Sequence, residues 1–277
     1  MSVFAPHTTL RKQGLPMCAA LAAIALLATS CSTTTVSAKA GSADYYWTAA
    51  RTTYAAGDYA KTVENLDHVL DSPEYASRAI PWSLVLTTGM AAGYAEIAAD
   101  YAKGARSADA DAVFHRKAAE YLNVANPLVL AAAHLVDKLA QQPSGSITLV
   151  FGRPRGSLAP PPVLYRIAAG QPVSPADAEA APAVAVERNI LLSASAAVGA
   201  PNDSAKASEI LSHASTLTPR ATFAKAMADM LEKASTIYSR DQLDYPDKLA
   251  MVADRVRALR DVAADKGPAT AIRVNAQ

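Results

Sequence analysis

The chain is poor in cysteine: it has two, Cys18 and Cys31, and both lie near the N-terminus. From residue 32 onward there is no thiol, which excludes disulfides, thiolate catalysis and cysteine-ligated metals from that part of the chain. A basic excess is also missing, because 26 lysine and arginine residues face 25 acidic ones. The charge pattern of a nucleic-acid-binding protein is therefore absent, and we expect no nucleic-acid partner.

Recognisable catalytic and cofactor motifs are missing as well. The sequence has no Gly-rich phosphate loop, no dinucleotide fingerprint and no His-Glu-x-x-His pair. Four histidines follow Cys31, and we interpret them as surface or half-buried helix residues: His68, His115, His134 and His213. These absences favour a binding protein with no cofactor and no metal. An enzyme whose site assembles from scattered residues is the alternative.

The N-terminal segment has the pattern of a secretory signal. Arg11 and Lys12 precede an apolar run from Met17 to Ala28, which is too short to span a bilayer because a span needs about 20 residues. A positive region followed by a short apolar core is typical of a signal peptide. We predict a signal peptide over residues 1–30. Without Arg11 and Lys12, the remaining chain has 24 basic and 25 acidic residues.

The end of this segment, Leu27-Ala28-Thr29-Ser30-Cys31, resembles the lipobox of bacterial lipoproteins. The resemblance implies cleavage before Cys31 and acylation of its thiol, with palmitate among the acyl chains, so that the membrane is one partner. Ser32 implies the outer membrane, because the family's sorting rules give Asp at that place a retention role. Ala28 stands where the family more often has Leu. Ordinary signal-peptidase cleavage after Ala38, with Cys31 discarded, is the alternative.

The rest of the chain has the composition of packed helices, because alanine dominates and long stretches lack Gly and Pro. We predict a helix over 44–56, a break at Gly57-Asp58 with Asp58 capping the next helix, and an end at Pro73. The second helix has an apolar stripe of Tyr59, Val63, Leu66, Val69 and Leu70.

This first pair, with its Gly57-Asp58-Tyr59 turn and closing Pro73, resembles a tetratricopeptide repeat. In that family such a turn joins two antiparallel helices. Thr62 stands where the family prefers Ala. A second, degenerate match follows the turn at Pro201-Asn202-Asp203, and its positions are Ala207, Leu211, Ala214 and Pro219.

Further helices are predicted by apolar stripes at three- and four-residue spacing. Their bounds are about 81–103, 107–125, 127–139, 220–239 and 246–264. We therefore predict an all-α fold of antiparallel helix pairs, stacked as a tetratricopeptide-like solenoid or a bundle. The predicted divisions are a signal peptide at 1–30, a lipidated tether at 31–43, an N-terminal helical half at 44–141, a Pro/Gly-rich insertion at 142–183, a C-terminal helical half at 184–265, and a flexible tail at 266–277.

The insertion over 142–183 is the irregular part of the sequence. Its apolar, β-branched run Ile147–Phe151 predicts a strand, and with the Gly-Arg-Pro-Arg-Gly turn that follows it indicates a short local β-hairpin. Ser174-Pro175 predicts the cap and first residue of the next helix. We expect no helix in the insertion before that cap.

Two sets of residues are candidates for binding a partner or ligand. One set is a group of tyrosines whose hydroxyls would face a concave groove; the alternative is a purely structural core: Tyr54, Tyr59, Tyr94 and Tyr101. The other set is Arg153 and Arg155, whose guanidiniums are suited to bidentate binding of a carboxylate or phosphate. A solvated turn at a hairpin tip is the alternative for the arginines.

These features predict a lipid-anchored, periplasm-facing scaffold that binds an envelope protein or peptide. A second resemblance gives an alternative: Leu84–Tyr101, followed by His115-Arg116-Lys117-Ala118-Ala119-Glu120-Tyr121, is similar to the TatT-type lipoproteins that accompany TRAP transporters. That family implies a ligand cavity lined by tyrosines, and a homo-oligomer. The Gly-Gly element of its later helices is absent here.

Overall fold

The computed structural model describes residues 38–107, 111–143, 145–201, 203–213 and 215–264. From Lys39 onward these residues belong to one compact unit. The predicted signal peptide, Cys31 and the tail at 266–277 lie outside the described residues.

The first two helices form the predicted hairpin. Helix α1 (Ala43–Ala56) begins where the Ser42 side chain accepts a hydrogen bond from the Tyr45 N–H at 3.2 Å. It ends at Gly57, whose φ of 80° places it in the left-handed region that glycine adopts without strain. Helix α2 (Tyr59–Asp67) begins at Asp58, whose carboxylate accepts from the Lys61 N–H at 3.0 Å. The predicted break and cap are confirmed.

Two long helices follow, and each contains a proline. Helix α3 (Ala76–Ala105) starts five residues before Pro81, and α4 (Asp111–Ala140) continues through Pro127. The prediction that Asn126-Pro127 starts a separate helix is therefore wrong, as is the predicted start of α3 at Pro81. Because α4 packs against α3 along much of its length, burial of its apolar face offsets the backbone bond that an interior proline removes, a loss of about 3 kcal/mol.

The Pro/Gly-rich insertion contains more structure than predicted. Strand β1 (Ile147–Leu149) is followed by helix α5 (Pro162–Ala168), and helix α6 (Pro175–Ala197) begins at the predicted cap, where Ser174 accepts from the Asp177 N–H at 3.1 Å. The predicted absence of a helix before that cap is wrong, because α5 lies there.

The C-terminal part adds three helices and the second strand. They are α7 (Ser204–Leu211), β2 (Thr216–Thr218), α8 (Arg220–Ser235), a 3-10 turn (Thr236–Tyr238) and α9 (Pro246–Ala263). The second tetratricopeptide-like match therefore fails after Leu211, where the chain enters a strand instead of continuing as a helix. Its Ala214 lies outside the described residues.

Strands β1 and β2 pair with each other in an antiparallel two-stranded sheet. Ile147 lies opposite Thr218, and Leu149 lies opposite Thr216. The local hairpin predicted within 142–183 is therefore wrong. The apolar side chains of β1 are buried. The strand that pairs with it, β2, follows α6 and α7 in the sequence.

Helix α3 packs against helices from both predicted halves of the chain. It contacts α2, α4, α5, α6, α8 and β1. Its approach to α6 depends on two glycines, because a Cβ on Gly89 or Gly93 would lie 2.6 Å from the Cα of Ile190 or Val186 respectively. Helices of both predicted halves thus share one hydrophobic core. The fold is all-α, 71% helical, with its helices packed in pairs.

The long helices do not have the character of membrane spans. In the part of the chain that the structure describes, we find no helix that is both long enough and apolar enough to cross a bilayer.

Candidate functional site

An aromatic cluster lies where the segment 151–156 packs on the α1–α2 hairpin. The ring centroid of Tyr54 lies 5.4 Å from that of Trp82 on α3 and 6.1 Å from that of Phe151. Trp82 and Phe151 also stack on each other, and both are buried. Tyr54 is half-buried and contacts Tyr59 edge-on. The cluster thus joins the irregular segment to the first two helices.

Two of the predicted tyrosines bind the backbone of this segment. The Tyr54 hydroxyl donates to the carbonyl oxygen of Gly152 at 2.6 Å, and the Tyr59 hydroxyl accepts from the N–H of Arg155 at 2.7 Å. Burial raises the pKa of both tyrosines. Both hydroxyls therefore keep their protons at neutral pH and act as neutral hydrogen-bonding groups.

The two predicted arginines have separate partners. Arg155 Nη2 donates to the Ala55 carbonyl oxygen at 3.1 Å, in the last turn of α1, where the free carbonyls carry the negative end of the helix dipole. Its side chain lies directly over Gly57, where an added Cβ would be 2.8 Å from its Cδ. Arg153 Nη2 instead donates to Gly156 O at 3.3 Å. Each guanidinium thus has its own backbone acceptor.

Tyr94 and Tyr101 belong to a second cluster, between α3 and α4. The Tyr94 ring centroid lies 6.3 Å from that of Tyr121, and the Tyr101 centroid lies 5.8 Å from it. Tyr101 also contacts Phe114 and is buried. Tyr94 lies about 18 Å along α3 from Trp82, at 1.5 Å per residue. The structure therefore does not bring the four predicted tyrosines into one groove.

A polar network that the sequence did not predict joins α3, α6 and α8. Arg188 Nη1 donates to Glu96 Oε1 at 2.8 Å, and Asn189 Nδ2 donates to Glu96 Oε2 at 2.9 Å. Lys233 Nζ donates to the same Oε2 at 3.1 Å and to Asn189 Oδ1 at 2.9 Å. Burial alone would raise the pKa of Glu96, but the Asn189 hydrogen bond and the charges of Lys233 and Arg188 outweigh it and lower the pKa.

Asp100 lies one turn beyond Glu96 on α3. Burial, together with the negative charge of Glu96, raises the pKa of Asp100 to about 6. Two carboxylates with pKa values moved in opposite directions are a pattern of acid–base sites. Here Glu96 has its oxygens taken up by three side chains from α6 and α8, so it acts as a structural anion that ties the three helices together.

No sequence signal could have found this network. Its members are separated by up to 137 positions along the chain, and charged residues on helices usually face solvent.

In the described residues, no group of three histidine, cysteine or acidic side chains is placed to hold a metal ion. The four histidines predicted as surface or half-buried helix residues are all exposed, and His68 stacks on Tyr46 with ring centroids 3.9 Å apart.

A small apolar cleft lies between the C-terminal ends of α4 and α9. Its lining is Val136, Leu139, Ala140, Arg220, Ala258, Leu259 and Val262. Arg220 closes one side by donating to the carbonyl oxygens of Leu139 and Pro143. The cleft has no tyrosine in its lining and so differs from the cavity that the transporter-accessory alternative predicts.

Comparison of the chain with protein-family models, curated proteins and solved structures gives no match. The lipoprotein and tetratricopeptide resemblances therefore rest on the residues that carry them. Cys31, the predicted lipidation site, lies outside the described residues.

Proposed function

We propose that this chain is an envelope lipoprotein whose helical body binds a protein or peptide partner. In this proposal, lipid on Cys31 holds the protein at the outer membrane, facing the periplasm. The Arg11–Lys12 pair, the short apolar run and the Cys31 lipobox support the anchor. We propose a binding role and no catalysis, with no cofactor.

The binding half of the proposal is supported by the way the body holds a stretch of backbone that is neither helix nor strand. Tyr54 and Tyr59 bind a carbonyl and an N–H of the segment 151–156, at 2.6 and 2.7 Å. Hydrogen bonds to main-chain groups are how extended peptides are held in recognition modules. The α1–α2 hairpin thus carries the hydrogen-bonding groups that a peptide-binding scaffold needs.

A crosslinking pull-down from membranes tests this function. Tagged wild type is compared with the Cys31→Ser variant, and metabolic labelling with palmitate checks the anchor. We expect label on the wild type alone, and one abundant envelope partner that is lost with the anchor. A wild type that carries no label contradicts the anchor.

The same experiment separates the transporter-accessory alternative from the scaffold. A labelled wild type with no crosslinked protein, but with a co-purified small molecule in the mass spectrum, contradicts the scaffold and favours the ligand-binding accessory. A homo-oligomer seen by light scattering, with no other partner, points the same way.

A further inference from the structure

The segment Phe151–Arg155 is held on the α1–α2 hairpin as a bound peptide would be. It contains no helix or strand. Its hydrogen bonds and ring contacts come from α1, α2 and α3, and Arg155 lies over the α1–α2 turn. The Gly152 carbonyl oxygen accepts a hydrogen bond from Tyr54, and the Arg155 N–H donates one to Tyr59. Such bonds hold any extended backbone, so they supply affinity without reading sequence.

Three side chains of the segment occupy three distinct surroundings. Phe151 lies in the ring cluster, with its centroid 6.1 Å from those of Trp82 and Tyr54. Pro154 is buried. Arg155 lies over Gly57 and donates to Ala55 O. These surroundings would select a peptide that has an aromatic residue, a proline three places after it and an arginine four places after it.

The electrostatics of the site suit a cation at the last position. Ala55 O belongs to the last turn of α1, where carbonyls without helical partners present partial negative charge. Glu187 on α6 lies close by, since its negative charge raises the pKa of Tyr59 and a Cβ on Gly156 would be 3.1 Å from its backbone. The guanidinium of Arg155 complements the partial negative charge of Ala55 O, to which it donates at 3.1 Å.

We propose that the α1–α2 hairpin and Trp82 form a receptor site for a peptide segment with an aromatic residue followed by Pro-Arg three and four places later. The chain's own residues 151–155 occupy this site when no partner is present. The inference deepens the proposed peptide-binding function and rests on it. A tethered segment acts at an effective concentration of about millimolar, so a partner binds the wild type weakly until that segment is displaced.

The test measures binding of the chain's own segment supplied as a separate peptide. The probe is a fluorescein-labelled peptide, Val-Phe-Gly-Arg-Pro-Arg-Gly-Ser, and the readout is fluorescence anisotropy with the purified chain. The double variant Phe151→Ala/Arg155→Ala weakens the tethered segment and leaves the receptor residues intact. The matched control is Arg153→Ala, because Arg153 is exposed and bonds only within its own segment among the described hydrogen bonds.

We expect the double variant to bind the labelled peptide at least tenfold more tightly than the wild type or Arg153→Ala does. A peptide with Ala in place of its Phe and second Arg should lose this binding, and adding Tyr54→Phe and Tyr59→Phe should remove the gain. Equal affinity for the wild type and a double variant of unchanged helix content would overturn the proposal.

A second variant decides the matter if the double variant does not fold. Arg155→Ala alone removes an exposed side chain, and we expect it to bind the peptide at least threefold more tightly than Arg153→Ala. No difference between these two variants also overturns the proposal. The measurement uses no membrane and no envelope partner, so a negative result here is distinct from a failure of the pull-down, which tests the anchor and the scaffold role.

Discussion

At the scale of single residues, Gly93 lies at a close approach of α3 to α6. A Cβ at this position would lie 2.6 Å from the Cα of Val186 and 2.9 Å from its backbone nitrogen. Backbone atoms cannot move aside as the end of a side chain can. We therefore expect Gly93→Ala to lower the free energy of unfolding by about 1–3 kcal/mol, as overpacking of a core does, measured by urea denaturation.

Gly152→Ala is the matched control for this substitution. The nearest atom to an added Cβ there is Leu211 O, at an ordinary 3.7 Å. Replacing glycine by alanine at an uncrowded site also reduces the freedom of the unfolded chain. We expect Gly152→Ala to be neutral or slightly stabilising, and a Gly93→Ala variant as stable as this control would show that the helices can separate freely.

Asp100 should make stability depend on pH. Its folded pKa of about 6 exceeds the value of about 3.9 expected for an unfolded chain, so the folded state binds the proton more tightly. The stabilisation from that proton is fully present below about pH 4 and is lost as the pH rises through 6. Asp100→Asn removes this loss. We expect the variant to gain up to about 1 kcal/mol over the wild type at pH 7.5, a small value because Asp100 is partly exposed.

Thermal melts of both proteins at pH 4 and pH 7.5 check this expectation. The advantage of Asp100→Asn over the wild type should be larger at pH 7.5 than at pH 4. An equal difference at the two pH values would mean that Asp100 titrates as an ordinary surface carboxyl.

At the scale of elements, the Glu96 network links α3 to α6 and α8. The side chains of Glu96 and Arg188 are only 20% and 15% exposed, so Glu96→Ala leaves a mostly buried cation without its partner. We expect a loss of about 3 kcal/mol in the free energy of unfolding, as for other broken buried pairs. Chemical denaturation measures the loss.

A surface pair on the same α8 is the control for the network. Lys225 and Asp229 are bonded at 2.6 Å but are 71% and 52% exposed, and exposed pairs contribute about 0–1 kcal/mol. Lys225→Ala should therefore change stability little. Equal effects of Glu96→Ala and Lys225→Ala would contradict a structural role for the network.

The sequence predicted those elements whose signals are local. The caps at Asp58 and Ser174 and the start of α9 at Pro246 depend on residues within one turn, and all three are confirmed. The separate helix at Pro127 is wrong, because packing on α3 outweighs the local effect of a proline. Here Asn126 is instead bound by the Tyr238 hydroxyl at 3.0 Å. Packing between residues far apart in the sequence therefore determines that α4 continues through Pro127.

At the scale of the whole molecule, the predicted N-terminal and C-terminal halves share one core. Residues 44–141 expressed alone would lack α6 and α8, and would leave uncovered the face of α3 that carries Gly89 and Gly93. We expect this fragment to show no cooperative thermal transition by circular dichroism, and to regain one when it is co-expressed with residues 142–277. A sharp transition of the fragment alone would contradict the shared core.

The candidate site shows the same limit of prediction at this scale. Tyr54, Tyr59 and Arg155 were identified from composition and turn chemistry, and the structure brings them together in one contact. Trp82 and Phe151 complete that contact from positions 28 and 97 residues after Tyr54. The positions of Trp82 and Phe151 follow from the way α3 and β1 pack. No spacing pattern in the sequence predicts them.

The close contact of α3 with α6 has a consequence during synthesis of the chain. Gly89 packs against Ile190, about a hundred residues later, and ribosomes add roughly 5 to 20 residues per second. The glycine face of α3 is therefore made some 5 to 20 s before the helix that covers it. During that interval the nascent chain presents an uncovered apolar surface to any chaperone that meets it.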